Sequence, residues 1–380
     1  MSPSILCISL SPLVRDARVL RQLEVLAAHG EVTTVGFGPQ PAGATHHIQV
    51  PDGLPTLPQT PLGVLQLVTH RFRRAELAAP AVQFALRALA GRRYDLVVAN
   101  DARVLALAFA AADGAPVWAD MHEWAIGQRD QYFVWRHLVA PLMGHYCRQY
   151  LPRAAAVTTV AASLVREYDR VYGLSTQLVR NARGFEPDLR PTPVAPGGTV
   201  RLVHSGGAEP NRKLTWLIDA TRAQADATLD LYLVTGGDPG HLEELRRYAG
   251  GDPRIRFREP VPPADLPRTL NDYDLGVFSL PPDNFNMAHT LPNKLFDFVQ
   301  ARLGIVVSPS VEMAQFVRDN ELGAVADDYS AASLAAAVAS MTPERIAAAK
   351  QSAQDRAMQL SNIPDLEVSH RIVAGLLGDR

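Results

Sequence analysis

Short, uninterrupted apolar runs alternate with longer amphipathic stretches along almost the whole chain, and this alternation limits the fold more than any other feature. Residues 4–10 (SILCISL) form a compact run of β character. Residues 15–29 then carry Val19, Leu20, Leu23, Leu26 and Ala27 at spacings of three and four, a helical stripe that ends before Gly30. Residues 31–37 (EVTTVGF) read as a second strand, and 95–99, 116–119 and 155–160 as further ones, each followed by a helical stretch. Strands without polar alternation, in β-α-β order, predict a parallel sheet covered on both faces and joined by right-handed crossovers.

Two segments break the rhythm. Residues 38–62 are rich in Pro and Gly and lack a period; they predict a long surface loop, either near a ligand entrance or as an ornamental insertion. Residues 186–198 (EPDLRPTPVAPGG) hold four prolines and two glycines, which reads as a linker. The same grammar then restarts, with strands at 200–204, 231–235, 255–257, 275–278 and 305–308, helices at 214–222 and 241–248, and a helical tail from 333 to 377. A length of 380 residues, at about 150 per domain, fits two α/β domains. The expected divisions are 1–185, the linker 186–198, a second domain 199–362, and a terminal helix 363–380 returning to the first domain. Two such sheets across a hinge make a cleft, and ligands of parallel sheets sit beyond the carboxyl ends of the strands.

Composition removes several classes. Lys+Arg number 37 against 39 Asp+Glu, a net charge of −2, which is a poor match to a nucleic-acid-binding protein. Two cysteines, Cys7 and Cys147, fit a reducing cytosol better than a disulfide scaffold. No apolar run approaches membrane-spanning length, and MSPSILCISLSPLVRD lacks the leading charge and cleavage site of a signal peptide, so it reads as the first strand. No G-x-G-x-x-G follows that strand and no P-loop occurs, so nicotinamide, flavin and P-loop nucleotide chemistry are unsupported. His122-Glu123 lacks the second His of a zinc-protease helix. Asp272-Tyr273-Asp274 could be an acidic metal pair or an ordinary helix-to-strand turn; it precedes a strand and does not end one.

Three strand ends carry binding character. In Ser205-Gly206-Gly207-Ala208-Glu209-Pro210-Asn211-Arg212-Lys213 a strand feeds a glycine pair, and a helix is expected to start near Asn211. Glycines admit a phosphate to the backbone, the helix start adds partial positive charge, and Arg212 and Lys213 add full charges. In His289-Thr290-Leu291-Pro292-Asn293-Lys294-Leu295-Phe296-Asp297, Thr290 can cap a helix with Pro292 in its first turn. Lys294 is one of only three lysines, with Lys213 and Lys350, and Asp297 could take a ribose diol or serve as a first-turn acid. In Asp120-Met121-His122-Glu123-Trp124, a His at a strand end can bond a sugar hydroxyl or be structural.

Taken together, these segments resemble a GT-B glycosyltransferase, most similar to the retaining nucleotide-sugar enzymes of family 4. The markers are SLSPLVRDARVLRQLEVLAAHGEVTTVGF, ANDARVLALA, ADMHEW, GGAEPNRKLTWLIDA and above all LPNKLFDFVQARLGIVVSP, similar to the family's P-N-K-x-F-E-Y pattern. The resemblance implies an α/β fold of two Rossmann-like domains facing each other across a cleft, the first binding acceptor and the second the nucleotide sugar. It implies transfer with retention, without metal or cofactor, to a small-molecule, glycan or lipid-linked acceptor. It implies catalytic roles for His122, Arg212 and Lys213. Donor-binding positions are Ser9, Ser11, Arg15, Asp16, Gly206, Gly207, Arg258, Glu259, His289, Leu291, Asn293, Lys294, Leu295 and Asp297. Gly207 stands where the family often has Arg, and His289 where it has a carboxylate facing the donor sugar. Rival readings are a same-fold epimerase or hydrolase and a non-catalytic sugar-nucleotide-binding protein. The expected location is the cytoplasm. Arg71, Phe72, Arg73 and Arg74 with Arg87, Arg92 and Arg93 could touch anionic lipid at the inner membrane face or form a solvated helix face.

Overall fold

The computed structural model describes residues 2–194, 197–235 and 239–378. Ala195 and Pro196 of the expected linker, and Asp379 and Arg380 of the expected terminal helix, lie outside the described residues. The chain divides into two compact units. The first comprises Met1–Arg180, Asn284–Asn286 and Asp365–Arg380; the second comprises Asn181–Asp283 and Met287–Pro364.

Among the described residues the first unit has a seven-stranded sheet: β1 (Ser4–Pro12), β2 (Glu31–Phe37), β3 (His46–Val50), β4 (Leu96–Asn100), β5 (Val117–Met121), β6 (Ala156–Thr159) and β7 (Gln177–Leu178). The order is β3-β2-β1-β4-β5-β6-β7, all parallel. Ile5, Leu6 and Ile8 of β1 are fully buried, as helices on both faces of a central parallel strand require. The helix Ala17–Ala27 starts at Asp16, whose carboxylate accepts from the Val19 N–H (3.2 Å). The helix Ile363–Gly378 belongs to this unit from Asp365 onward: Ile372 and Val373 join the core around Ile5, Cys7 and Leu23. Arg180 ties it down, donating from its backbone N (2.7 Å) and Nη2 (2.9 Å) to Asp365.

Residues 38–62 are not wholly loop. Their middle is the edge strand β3, registered Thr33↔His46 through Phe37↔Val50. His47 holds it: its Nδ1 bonds the Thr34 hydroxyl (2.8 Å) and its Nε2 the Gly38 carbonyl (3.0 Å). Only Val50 of the strand is buried, so it lacks the apolar run by which buried strands are recognised.

The second unit has a six-stranded parallel sheet among the described residues: β8 (Val200–Gly207), β9 (Ala227–Val234), β10 (Ile255–Arg258), β11 (Leu275–Phe278), β12 (Gly304–Val307) and β13 (Gly323–Val325), in the order β10-β9-β8-β11-β12-β13. The proline-rich segment is anchored within this unit. Glu186 N–H donates to Gln300 (3.0 Å), and Thr192 donates to the Asn271 carbonyl (2.9 Å) and accepts from Lys350 (2.7 Å). Asp274 is buried and engaged by Arg201 (2.9 Å) and Lys350 (3.7 Å), so its carboxylate anchors the turn into β11.

One contact sets the height of the helix Asn293–Gln300 over β11. A Cβ built on Gly276 would overlap the Phe298 ring. Gly276→Ala should therefore cost about 1–3 kcal/mol by overpacking and lower Tm by several degrees in a calorimetric scan. The double variant with Phe298→Leu should recover part of that loss.

Candidate functional site

In the first sheet the chain order turns back between β1 and β4, which places the ligand end of the sheet at the carboxyl ends of β1, β4 and β5. A buried polar network fills that end. Arg18 donates to Asp120 from Nε (2.8 Å) and Nη2 (2.5 Å), and to the Val179 carbonyl from Nη1 (2.8 Å). Thr158 donates to Asp120 (2.6 Å) and Gln22 Nε2 to its other oxygen (3.3 Å). Asn100 Nδ2 donates to Gln22 Oε1 (2.8 Å), which leaves Asn100 Oδ1 as acceptor for the Nε2–H of His122 (3.0 Å). His122 is thus held in one orientation. Burial alone would lower its pKa, but the hydrogen bond and charge of Asp120 outweigh burial and raise it. Burial likewise opposes the Asp120 charge, and Arg18 and His122 hold that carboxyl well below the usual range.

Two acids flank His122. Asp101 has φ +76° and ψ 162°, a conformation normally left to glycine and costing about 1–3 kcal/mol. Its carboxylate accepts from the Ala102 N–H (2.7 Å) and Gln128 Nε2 (2.9 Å), and its own N–H donates to the Asp120 carbonyl (2.9 Å), which holds the strain. Glu123 accepts from Asn286 Nδ2 (2.9 Å). Burial, then the charge of Asp101, push its pKa up to about 7.

In the second sheet the chain order turns back between β8 and β11. The glycine pair completes β8, registered with Leu233 and Val234 of β9. Gly206 has φ +135°, and a Cβ there would overlap the Lys294 Cε and Nζ, so the lysine lies directly against this glycine. Arg212 and Lys294 both stand over the Phe278 ring, at 5.6 and 5.8 Å from its centroid. Burial, then the nearby Arg212 charge, lower the Lys294 pKa; burial lowers that of Arg212. His204 stacks on the other partner of this cluster, Phe278 (5.6 Å), and donates from Nδ1 to the Val277 carbonyl (2.9 Å). Burial, then Lys294, push its pKa down to about 3, so it is neutral. His204 Nε2, Ser205 Oγ and Ser279 Oγ are buried at these strand ends without a hydrogen-bond partner among the described residues. A cavity of about 330 Å³ lies at the ends of β9 and β10, lined by Thr235, Leu242, Arg246, Phe257, Arg258 and Glu259 among others.

Several expected residues are placed differently. The helix after β8 spans Leu214–Arg222, as its periodicity predicts, and does not start near Asn211: Pro210–Arg212 form a 3₁₀ turn, and Lys213 caps the helix at φ +48°. That left-handed residue turns the lysine outward, so Arg212 meets Lys294 and not the exposed Lys213. Thr290 is not a cap; Pro292 occupies the N-cap position and the helix begins at Asn293, which is exposed. Leu295 is buried in the core and its N–H donates to the Pro292 carbonyl (3.1 Å), so neither group is open to a ligand. Leu291 packs on the same core, and His289 is half-buried before this helix. Asp297 is buried against Arg183 (3.0 Å), so one of its oxygens is already engaged. Arg258 directs its guanidinium to Asp230 (2.7 Å). Ser9 and Ser11 lie in the extended end of β1, not in a loop. Ser9 bonds Ser11 (2.9 Å), and Ser11 donates to the capping Asp16 (2.9 Å); Arg15 is exposed beside them. Arg18, Gln22, Asn100, Arg183, His204 and Phe278 were not legible as site residues. All but Arg183, which lies between β7 and β8, sit inside helices and strands, where apolar periodicity masks them; only Asp120 carried a signal, two residues before His122.

The raised Glu123 carboxyl makes a sign-specific prediction. Its folded pKa exceeds the ordinary value, so the folded state holds the extra proton and stability falls as pH rises from 4.5 to about 7. Glu123→Gln should leave stability unchanged below that window and raise it above by about 1–3 kcal/mol, read from denaturant melts across pH.

Residues 199–342 match the model of the family described as Glycosyl transferases group 1. No curated protein matches the chain. Among solved structures, HepE of Anabaena in complex with UDP-glucose is similar at a TM-score of 0.69 and 16% identity, over 98% of this chain and 100% of that one. Sucrose-phosphate synthase of Thermosynechococcus elongatus is similar at 0.71 and 16%, over 100% of both chains. WaaG, a glycosyltransferase involved in lipopolysaccharide biosynthesis, is similar at 0.62 and 14%, over 98% of this chain and 100% of that one. The chain has the α/β GT-B fold, and its second unit carries the match to the group 1 glycosyltransferases.

Proposed function

We propose that the chain is a glycosyltransferase that moves a sugar from a nucleoside-diphosphate sugar to an acceptor hydroxyl, with retention and without metal. The observation that carries this reading is the meeting of Arg212 and Lys294 over Phe278, against Gly206, where the order of the second sheet turns back. Two converging, partly buried cations beside a glycine suit a diphosphate. The orphaned polar atoms of His204, Ser205 and Ser279 at the same strand ends support a polar ligand there. The cavity beside Arg258 and Glu259 would take the base.

In this reaction the bond between the anomeric carbon and the diphosphate oxygen breaks, and a bond to the acceptor oxygen forms. The acceptor proton passes to the departing phosphate. Arg212 and Lys294 stabilise the charge that develops on the leaving group, the term that usually contributes most, and so no divalent ion is called for. His122, fixed by the bond from its Nε2–H to Asn100, keeps Nδ1 to accept a hydrogen bond from a sugar hydroxyl. UDP-sugars come first among candidate donors because HepE was solved with UDP-glucose and with UDP. Buried, unpaired Cys7 and Cys147 support work in a reducing cytoplasm.

Titration calorimetry with UDP-, GDP-, ADP- and dTDP-sugars tests the assignment. Arg212→Ala and Lys294→Ala should each weaken donor binding about 10–100-fold, the value of a charge-assisted hydrogen bond. Exposed Lys213→Ala should change it by about twofold at most. Unchanged affinity in the Arg212→Ala/Lys294→Ala variant would remove the diphosphate site. Transfer should also survive EDTA; a strict need for a divalent ion would sink the metal-free mechanism. Donor breakdown with no acceptor present would favour the epimerase or hydrolase alternative.

A further inference from the structure

The first unit carries an apolar surface that the proposed reaction does not use. The helix Pro61–Val68 contains no charged residue. It buries Gly63 and Leu67, and turns Leu62, Leu65 and Val68 to solvent at 64%, 56% and 55% exposure. A soluble helix normally presents charge on that side. This one packs against the helical turn Trp135–Val139, immediately before which Phe133 and Val134 are exposed at 71% and 63%. The two segments therefore join as one patch, larger than the scattered exposed apolar side chains common on monomers.

The surroundings of the patch identify its occupant. The chain turns from this helix straight into the short helix Phe72–Ala75, and Arg71, Arg73 and Arg74 are all exposed. Arg136 is exposed within the second segment. The acid nearest the arginines, Glu76, is engaged internally: its carboxylate bonds His145 Nε2 (2.6 Å) and accepts from the Tyr150 hydroxyl (2.8 Å). Its carboxylate is thus turned into the fold, and Arg71, Arg73 and Arg74 face solvent without an ion pair among the described residues. Arg87, Arg92 and Arg93 belong elsewhere, with Arg92 and Arg93 beside Asp113 at a separate depression. Exposed apolar side chains with exposed arginines in the same segments match a bilayer interface, where apolar groups enter the acyl boundary and cations meet anionic headgroups. No described helix is long and apolar enough to cross a membrane, so the contact would be peripheral.

We propose that the surface formed by residues 61–74 and 132–136 docks the protein on an anionic lipid bilayer. This inference is independent of the sugar-transfer reading. It requires neither donor nor acceptor, and its test leaves Arg212, Lys294 and His122 untouched.

The test is co-sedimentation of the full chain with vesicles of phosphatidylcholine alone and of phosphatidylcholine mixed with phosphatidylglycerol. Binding is expected to the mixed vesicles only and to weaken as salt rises. Leu65→Ser with Phe133→Ser should weaken partitioning by more than about tenfold, since each removes a buried apolar group at the interface. Arg71→Gln, Arg73→Gln and Arg74→Gln together should weaken it by about a hundredfold, from roughly fivefold per arginine. All five positions are exposed, so an unchanged Tm is the control for folding. Absence of binding to mixed vesicles, equal binding to both compositions, or retained binding in either variant would overturn the proposal. So would a concentration-dependent dimer, seen by sedimentation velocity, that Leu65→Ser abolishes.

Discussion

A parallel sheet exposes polar chemistry chiefly at the carboxyl ends of its strands, and loops leave room for a ligand where the strand order turns back. That constraint acts twice here. In the first sheet it gathers Asn100, Asp120 and His122 from β4, β5 and the residue after β5; in the second it gathers Gly206, Phe278 and, from the adjoining helices and turns, Arg212 and Lys294. Residues far apart in the chain share a site because the crossover rule leaves the strands few other ways to stack.

The two sites are in opposite electrostatic states. In the first unit the charges around Asp120 are paired: Arg18 has Asp120 and the Val179 carbonyl, and Asn100 relays the remaining hydrogen bond to His122. Such a network is rigid because removing one member leaves a buried charge unpaired, at about 3–5 kcal/mol. In the second unit Arg212 and Lys294 approach each other, and each has its pKa lowered by burial. Glu209 and Asp297 offset this only in part, and Asp297 is already shared with Arg183. On the proposed reading, an arriving anion relieves that repulsion, so donor binding would stabilise the second unit as well as fill it.

Buried strands were the most legible elements: β2 and β11 fall where apolar runs put them, and the other expected strands differ by a few residues at their ends, while the short strands β7 and β13 were not expected. The edge strand β3 was hidden because a strand half in solvent needs no apolar run. Helix starts were less legible than helix bodies. A single left-handed residue, Lys213, separates the helix from the preceding turn and sets two adjacent cations apart, an effect composition does not encode. The resemblance pointed to particular loops but not to the partners within them. Asp297 finds Arg183, Lys294 finds Gly206 and His122 finds Asn100 only through long-range packing, which local sequence patterns do not record.

The units are not contiguous stretches of sequence. Asp365–Arg380 and the three residues Asn284–Asn286 belong to the first, although the chain between them builds the second. Ile372 and Val373 cover apolar side chains of β1 and its following helix, while Asn286 grips the backbone of Trp124 from both sides, accepting from its N–H and donating to its carbonyl. A ribosome releasing the first 180 residues would therefore expose an uncovered oily strip until the last helix emerged. Cutting the gene at the proline-rich segment would make that delay permanent, giving a fragment prone to clump and not an independent domain.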